Sequence, residues 1–471
     1  MEPVPMTIDG AAVPGDRQVE VVNPATGAVC GLAPVCTPEH MDAAMRAAAG
    51  AWRRWSADET ALRERLRAAA KAVGAAAGRI GALVTAEMGK PLPLAVGEAY
   101  AAAATLRHHA DLELPPEVLQ DDRRGYAELV RRPLGVVAAV TPWNFPVAVA
   151  AAKLAPALRA GNAVVLKPSP YAPLATLELG RVLAGVLPAG LVNVLSGDDA
   201  LGAAMVAHPV PAHVTFTGSV PAGRRVAARA GGDLKRYVLE LGGNDPAVVL
   251  DDADPDELAE RLFWDSFANN GQACVLIKRL YAPRRLHARL VDALADRART
   301  ARVGDPTTKG TQLGPLAHRR QFSRIADLVA AARSRGARVA AGGAAPDGPG
   351  LYYAPTVLTG VDDGDPVVDQ EQFGPVLPVV PYRDVEDAVR RANASSYGLG
   401  GSVWSADPER AWAVADRLEC GTVWVNGHAL LGPDQPVGGM KCSGIGLEGG
   451  RLGLAEYTAA QVRRRPPTGP R

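Results

Sequence analysis

Residues 267–279 read FANNGQACVLIKR, with one thiol, Cys274, set among small and amide residues and followed by an apolar pair and two cations. A cysteine so placed is either a small buried hydrophobe or a nucleophile, and composition alone favours the first. Nucleophilic work needs a base, a donor for a developing oxyanion and a reason for the thiolate to exist. Candidates lie elsewhere in the chain. Glu240, in VLELGGNDP, closes a β-rich run beside two glycines and is a candidate general base, or simply a solvated charge at a strand end. Asn144, in TPWNFP, follows an apolar run and precedes a helical one, where a side-chain amide serves as an oxyanion donor or as a cap. Lys167, in VVLKPSP, ends another apolar run and is either a ribose or phosphate donor or a solvated lysine. FTGSVPAGRRVA places Gly218 and Ser219 before a helix entered through Gly223, a backbone that lets a pyrophosphate approach helix-terminal N–H groups. The spacing is not G-x-G-x-x-G, so by itself it does not specify a dinucleotide.

Those residues need a scaffold. The 471 residues are 48% hydrophobic and 21% charged, enough for large cores and too long for one ordinary domain. A formal net charge of +1 with scattered cations lacks the electrostatic footprint of a nucleic-acid or membrane-surface protein, which leaves small molecules as partners. Cys30, Cys36, Cys274, Cys420 and Cys442 are odd in number and widely spaced, which suits a reducing, cytoplasmic compartment, with no disulfide framework and no metal-site spacing. The first residues, MEPVPMTIDG, lack a basic region followed by an apolar core.

The stretch 41–110 has helical spacing broken near Gly89, as expected of amphipathic helices packed outside a sheet. LGVVAAV, NAVVLKP, LVNVLSG, HVTFTGS and RYVLELGG then alternate with helical segments, the rhythm of a doubly wound parallel sheet. A second series runs from PAVVLDDAD through CVLIKRLYAP, APTVLTGV and LGGSVWS to WVNGH, so a seam is expected near Gly242 and Gly243. The Pro- and Arg-rich end is expected to fray.

PWNFP, LKPS, FTGS, ELGGNDP, NNGQAC, EQFGPV and GGMKCSG occur in the order and approximate spacing of the aldehyde dehydrogenase superfamily, over nearly the whole chain. The sequence resembles that family, and the resemblance implies an oxidoreductase that converts an aldehyde to the acid with NAD or NADP. It implies Cys274 as nucleophile, Glu240 as base, Asn144 as oxyanion donor and Lys153 as an aid to proton transfer. It implies a cofactor site drawn from Trp143, Lys167, Ser169, Pro170, Gly218, Ser219, Gly223 and Leu241, with Glu371 on the nicotinamide ribose and Phe373 on the ring. The implied substrate tunnel includes Phe145, Ala152, His428, Leu431 and Val437, and His428 is equally well read as a structural histidine.

The implied fold class is α/β: a cofactor domain (1–116 and 135–241), a catalytic α/β domain (242–445) and a small β oligomerisation unit (117–134 and 446–471). The unit would pair a hairpin around 126–132 with a tail strand around 457–463 in a homodimer or homotetramer. Two departures from the family pattern carry consequences. Pro170 stands where relatives have a glutamate that accepts from both adenosine ribose hydroxyls, so NADP is expected to serve beside a slightly favoured NAD, with Arg224 or Arg225 adding positive charge. Ala152, Leu431 and Val437 replace aromatic walls and predict a wide, aliphatic tunnel, and the loop NGHALLGPDQPV offers no arginine for a substrate carboxylate. The alternatives are a coenzyme A-acylating dehydrogenase, whose relatives commonly lack a carboxylate where Glu240 stands, and a catalytically silent nucleotide-binding or structural protein.

Overall fold

The computed structural model describes residues 4–467 except Ala57 and Asp347; of the Pro- and Arg-rich end expected to fray, residues 463–465 are paired in a strand and positions 468–471 lie outside the described residues. The first sheet has eight strands in the order Gly444–Ile445, Arg236–Glu240, His213–Thr217, Val136–Val140, Ala163–Lys167, Val192–Val194, Met6–Ile8, Ala11–Val13. The five strands from Arg236–Glu240 to Val192–Val194 are parallel. Their register sets Val140 opposite Lys167 and Phe216, and Thr217 opposite Glu240, so the loops leaving these strands share one sheet edge. In a doubly wound sheet that edge is where ligands bind.

The strands form because their residues are β-branched or small and apolar, buried on both faces. Four helices, Pro38–Trp55, Glu59–Ala75, Ala77–Met88 and Leu92–Asp111, fill the stretch expected to be helical. Thr37 starts the first with a reciprocal capping pair to His40. The third ends at Gly89, φ +82°, where a Cβ would meet Pro315 Cγ at 2.4 Å, so only glycine fits the turn.

The second sheet runs Arg338–Ala341, Thr356–Thr359, Val376–Tyr382, Ile277–Pro283, Asp245–Val249, Gly400–Trp404, Thr422–Val425, all parallel after the first pair. Val376–Tyr382 was not expected. Pro378 and Pro381 argue against a central strand, since each removes a ladder donor, yet both lie in register, opposite Leu358 and Ala282. The N-terminal strands Met6–Ile8 and Ala11–Val13 and the pair Gln18–Val22 with Val29–Pro34 are also additions.

Gly125–Pro133 pairs antiparallel with Thr458–Arg465 and with Glu117–Asp122, making a three-stranded ribbon where a hairpin and tail strand were expected. The expected end of the second half at 445 differs from the observed pairing. Gly444 and Ile445 return to the first sheet, opposite Glu240 and Leu239. Ser443 fastens this return: its carbonyl accepts from Leu241 N at 2.8 Å, its hydroxyl donates to Gly242 O at 2.8 Å, and Gly398 N donates to that hydroxyl at 3.0 Å. Among the described residues no helix is long and apolar enough to cross a membrane.

Candidate active site

Asn144 leaves the strand Val136–Val140 just before Pro146 opens the helix Pro146–Arg159. Its amide nitrogen donates to Gln272 O at 2.9 Å, which ties the first half to the loop that carries Cys274. Its backbone oxygen accepts from Lys90 Nζ at 3.1 Å and Asn269 Nδ2 at 3.2 Å. Lys90 is buried, pairs with Glu98 and lies 3.7 Å from the centre of the Phe145 ring. Glu98 also accepts from the N–H groups of Val147 and Ala148 at 2.9 and 3.1 Å, capping a helix whose own N-cap side chain makes no such bond. Lys90 and Glu98 were not anticipated, because nothing in their local sequence marks them.

The cysteine loop begins at the end of the helix Pro255–Phe267. Asn269, Asn270 and Gly271 have φ of 52°, 57° and 69°, three consecutive left-handed residues. Two are not glycine, a strain that the surroundings over-determine. Asn270 donates to Gly314 O, Lys278 Nζ to Gly271 O, and Gln272 Oε1 accepts from Ala317 N at 2.9 Å. Cys274 follows, half-buried, with its backbone oxygen beside Gly243. Burial pushes its thiol up to about 12, and the carboxylates of Glu371, Glu240 and Asp245 add to the effect. Nucleophilic attack requires the thiolate, so these surroundings oppose it until the proton is taken up elsewhere.

Glu240 is buried at the end of its strand, and its Oε1 has no hydrogen-bond partner among the described residues. Burial, and then the Glu448 carboxylate, raise its carboxyl well above the usual range, while Lys153 opposes the shift. Lys153 is fully buried and reaches Glu448 Oε1 at 2.5 Å and Thr215 Oγ1 at 3.0 Å. Tyr457 donates to the same threonine oxygen at 3.2 Å. Glu448 was not foreseen. Its backbone is fixed by two 2.7 Å bonds to Val437, one in each direction.

On the cofactor side, Lys167 is buried and donates to Pro168 O at 3.0 Å. Ser219 starts the helix Val220–Gly232 without a side-chain capping bond, so its hydroxyl is open to a ligand. Gly218 N donates to Glu240 O at 3.0 Å, and a Cβ on Gly223 would meet Leu241 Cδ2 at 2.5 Å, which explains that glycine. Glu371 Oε1 accepts from Gly243 N at 3.1 Å. Burial raises the Glu371 carboxyl to about 7 and lowers the Lys278 ammonium to about 8. Phe373 has φ +55° and meets the Trp143 ring edge-on, centroids 5.4 Å apart. Trp143 in turn meets His318 at 4.9 Å, and His318 stacks on Tyr171 at 3.9 Å, a ladder of rings joining the two halves. Ser169 is buried and Pro170 exposed. An open hydroxyl at a helix start and a buried ammonium with one bond fit a dinucleotide. Arg224 donates to Cys442 Sγ at 3.4 Å.

The expected tunnel residues differ in exposure. Ala152 and Val437 are half-buried, and Leu431 is exposed. His428 is buried, with Nδ1 2.9 Å from Ser402 Oγ and Nε2 3.2 Å from Asp245 Oδ2, as a structural histidine would be. It also borders a cavity of about 200 Å³ lined by Glu260, Arg261, Trp264, Asp265, Gly427 and Leu430. This wall is aromatic and acidic. An arginine does border it, contributed by the helix and not by the loop, with its guanidinium bonded to Asn426 O and 5.2 Å from the Trp404 ring centre. The signal was available in the sequence: residues 260, 261, 264 and 265 share one face of the helix that leads into the cysteine loop.

A doubly wound sheet whose ligand-binding edge faces a buried carboxylate and a cysteine loop describes a nucleotide-dependent oxidoreductase. The chain belongs to the aldehyde dehydrogenase family, whose model matches residues 12–462. It is 37% identical over 447 residues to a betaine aldehyde dehydrogenase of Cereibacter sphaeroides, covering 93% of this chain and 92% of that one. It is 38% identical over 468 residues to a phenylacetaldehyde dehydrogenase of Pseudomonas fluorescens, covering 95% and 92%. In structure it is similar to an aldehyde dehydrogenase from Bacillus cereus (TM-score 0.96, 32% identity, 99% and 97% covered). It is also similar to a betaine aldehyde dehydrogenase from Staphylococcus aureus solved with NAD+ (TM-score 0.94, 30% identity, 98% and 94% covered). Aldehyde oxidation with NAD(P)+ is thus its chemistry.

Proposed function

We propose that Cys274 attacks the aldehyde carbon, that Asn144 and the Cys274 backbone N–H hold the oxygen that becomes negative, and that Glu240 activates the water that releases the acid. The observation that carries this reading is the convergence of three separate elements. Asn144 is bonded to the cysteine loop, and Glu240 stands at the same sheet edge with an unbonded carboxylate oxygen.

The thiol must lose its proton before attack. Glu240, whose affinity for a proton is raised by burial, is suited to take it. Asn144 spends one amide N–H on Gln272 and has a second for the oxyanion, a donor held in place before charge develops. Lys167 and Ser219 would hold the dinucleotide from the adenosine side, with Pro170, Gly218, Gly223 and Leu241 shaping that wall. Glu371, Phe373 and Trp143 would hold it from the nicotinamide side. When bound, NAD(P)+ accepts the hydride that the aldehyde carbon gives up. The acyl group left on sulfur is a thioester, and Glu240 is placed to deprotonate water against it. The pair Lys153 and Glu448 then receives or returns the proton.

Glu240 also favours water over coenzyme A as the acyl acceptor. Ala152 and Val437 leave room for aldehydes larger than acetaldehyde, in keeping with relatives named for betaine aldehyde and phenylacetaldehyde. The cofactor and catalytic regions would correspond to the two large sheets. The antiparallel ribbon would serve assembly of a homodimer or homotetramer, since its outer edge and Val462, 59% exposed, call for cover. The free cysteines suit the cytoplasm.

The test is rapid mixing of enzyme, NAD+ and a panel of aliphatic, aromatic and cationic aldehydes, with formation of reduced cofactor and of acid followed together. Acid formed at the rate of reduced cofactor, without coenzyme A, is the expected result. Reduced cofactor that accumulates only when coenzyme A is added would overturn the hydrolytic reading.

A further inference from the structure

We infer that Asp245 and His428 are positioning residues for Cys274: the pair fixes a negative charge against the backbone of the cysteine loop and so sets how reactive the resting sulfur is. The inference rests on the reading of Cys274 as the nucleophile.

Asp245 opens the strand Asp245–Val249, and no step of the reaction uses it. It is buried, and its carboxylate has two partners: Gly400 N donates to Oδ1 at 3.1 Å, and His428 Nε2 lies 3.2 Å from Oδ2. A carboxylate accepts and does not donate, so in the neutral ring Nε2 carries the proton and Nδ1 is an acceptor. The donor to Nδ1 is Ser402 Oγ at 2.9 Å, and that hydroxyl in turn accepts from Trp404 Nε1 at 2.9 Å. Trp404, Ser402 and His428 therefore form a chain of donors that runs one way and ends on Asp245. Among the described residues Asp245 has no ion pair with a lysine or an arginine, and His428 is itself buried.

The carboxylate lies against the cysteine loop. A Cβ on Gly243 would lie 2.6 Å from Asp245 Oδ1 and 2.6 Å from Cys274 O, so both oxygens crowd the same side of that glycine. Burial is the largest cause of the raised Cys274 thiol, and the charges of Glu371, Glu240 and Asp245 follow. Glu240 and Glu371 have other work in the site, which leaves Asp245 as the carboxylate whose effect on the sulfur stands alone. The charged and titratable groups within reach of the pair are Cys274, Lys278, Glu371 and Cys420 around Asp245, and Asp265 with Arg261 around His428. A neutral side chain could also accept from Gly400 N, and what Asp245 adds is charge. Alkylating agents attack the thiolate, which a nearby negative charge disfavours. The plain alternative is that the chain from Trp404 to Asp245 only satisfies buried polar groups.

The test is alkylation of Cys274 in the full chain by neutral iodoacetamide and by anionic iodoacetate, read from the mass of the Cys274 peptide, with turnover and thermal melting measured beside it. Asp245→Asn and Asp245→Ser both remove the charge, so one serves if the other fails to fold. Each is expected to raise the iodoacetamide rate about threefold or more, a tenfold gain in thiolate being partly offset by its lower nucleophilicity. The iodoacetate rate should rise further still, because the anion also escapes repulsion. His428→Ala is expected to act in the same direction and to add nothing in the Asp245→Asn background. Unchanged rates, or equal rises for the two reagents as from a loosened loop, overturn the inference, and additive effects of the two substitutions overturn the pairing. Parent enzyme fully alkylated at Cys274 should be inactive. If it still turns over, the nucleophile reading falls, whatever the variants show.

Discussion

Lys153 and Glu448 meet behind Glu240, the lysine from the helix Pro146–Arg159 and the glutamate from the segment that follows the return strand Gly444–Ile445. The carboxyl of Glu240 is raised by burial and by the charge of Glu448, and Lys153 opposes the shift. The acid limb of the deacylation rate should report this arrangement, because activity is lost as pH falls through the Glu240 value.

Glu448→Gln removes the like charge and leaves Lys153 free to favour the Glu240 carboxylate. Both effects lower the affinity of Glu240 for its proton. The acid limb of kcat for acid formation is therefore expected to move to lower pH, read from a steady-state pH profile. A limb that moves to higher pH would contradict the placement of Glu448 beside Glu240.

Glu240→Gln keeps the shape of the side chain and removes its basicity. If Glu240 serves deacylation alone, a burst of reduced cofactor close to one equivalent should precede slow turnover, with the steady-state rate down about 10² to 10⁴-fold. Stopped-flow absorbance measures both phases. A missing burst would assign the carboxylate to deprotonation of Cys274 as well, and a normal steady state would remove it from the mechanism.

The Cys274 thiol, pushed up to about 12, should be sluggish towards alkylation in the free protein. Its iodoacetamide inactivation rate is expected to climb without a plateau through pH 10. A plateau below pH 9 would show a stabilised thiolate at rest. Cys274→Ala should abolish turnover while the Kd for NAD+, measured by calorimetry, stays within a few-fold of the parent.

Ala152 lies two turns along the helix that begins beside Asn144, and Ala152→Trp fills space there. The ratio of kcat/KM for a long-chain aldehyde to that for acetaldehyde is expected to be high in the parent and to fall in the variant. Apolar contact is worth roughly 25 cal/mol per Å², so the loss for a long chain should exceed tenfold. A parent that already prefers acetaldehyde would refute the wide tunnel.

The strands ending in Val140, Lys167, Thr217 and Glu240 were legible because each is a short apolar run closed by turn residues, and the polar residues that follow had to lie along one edge. The strand Val376–Tyr382 was hidden by its two prolines. Lys90, Glu98 and Glu448 were hidden for a different reason: their roles are set by partners far away in sequence, 295 residues in the case of Lys153 and Glu448. Pairing of buried charges is a property of the packed chain, and no local pattern announces it. The cavity beside His428 was not anticipated, because its Trp264 wall comes from a helix face whereas the sequence draws attention to the loop around Leu431, which is exposed.

The return of Gly444 and Ile445 to the edge of the first sheet bears on how the protein is made. The ribosome delivers the carboxylate-bearing strand Arg236–Glu240 long before the segment that covers it. Until Ser443 and Gly444 emerge, that strand presents an open edge, and such edges recruit other chains. Nascent chains stalled before residue 443 should therefore depend on chaperones far more than those stalled after the tail, even though most of the cofactor-side sequence is already present in both.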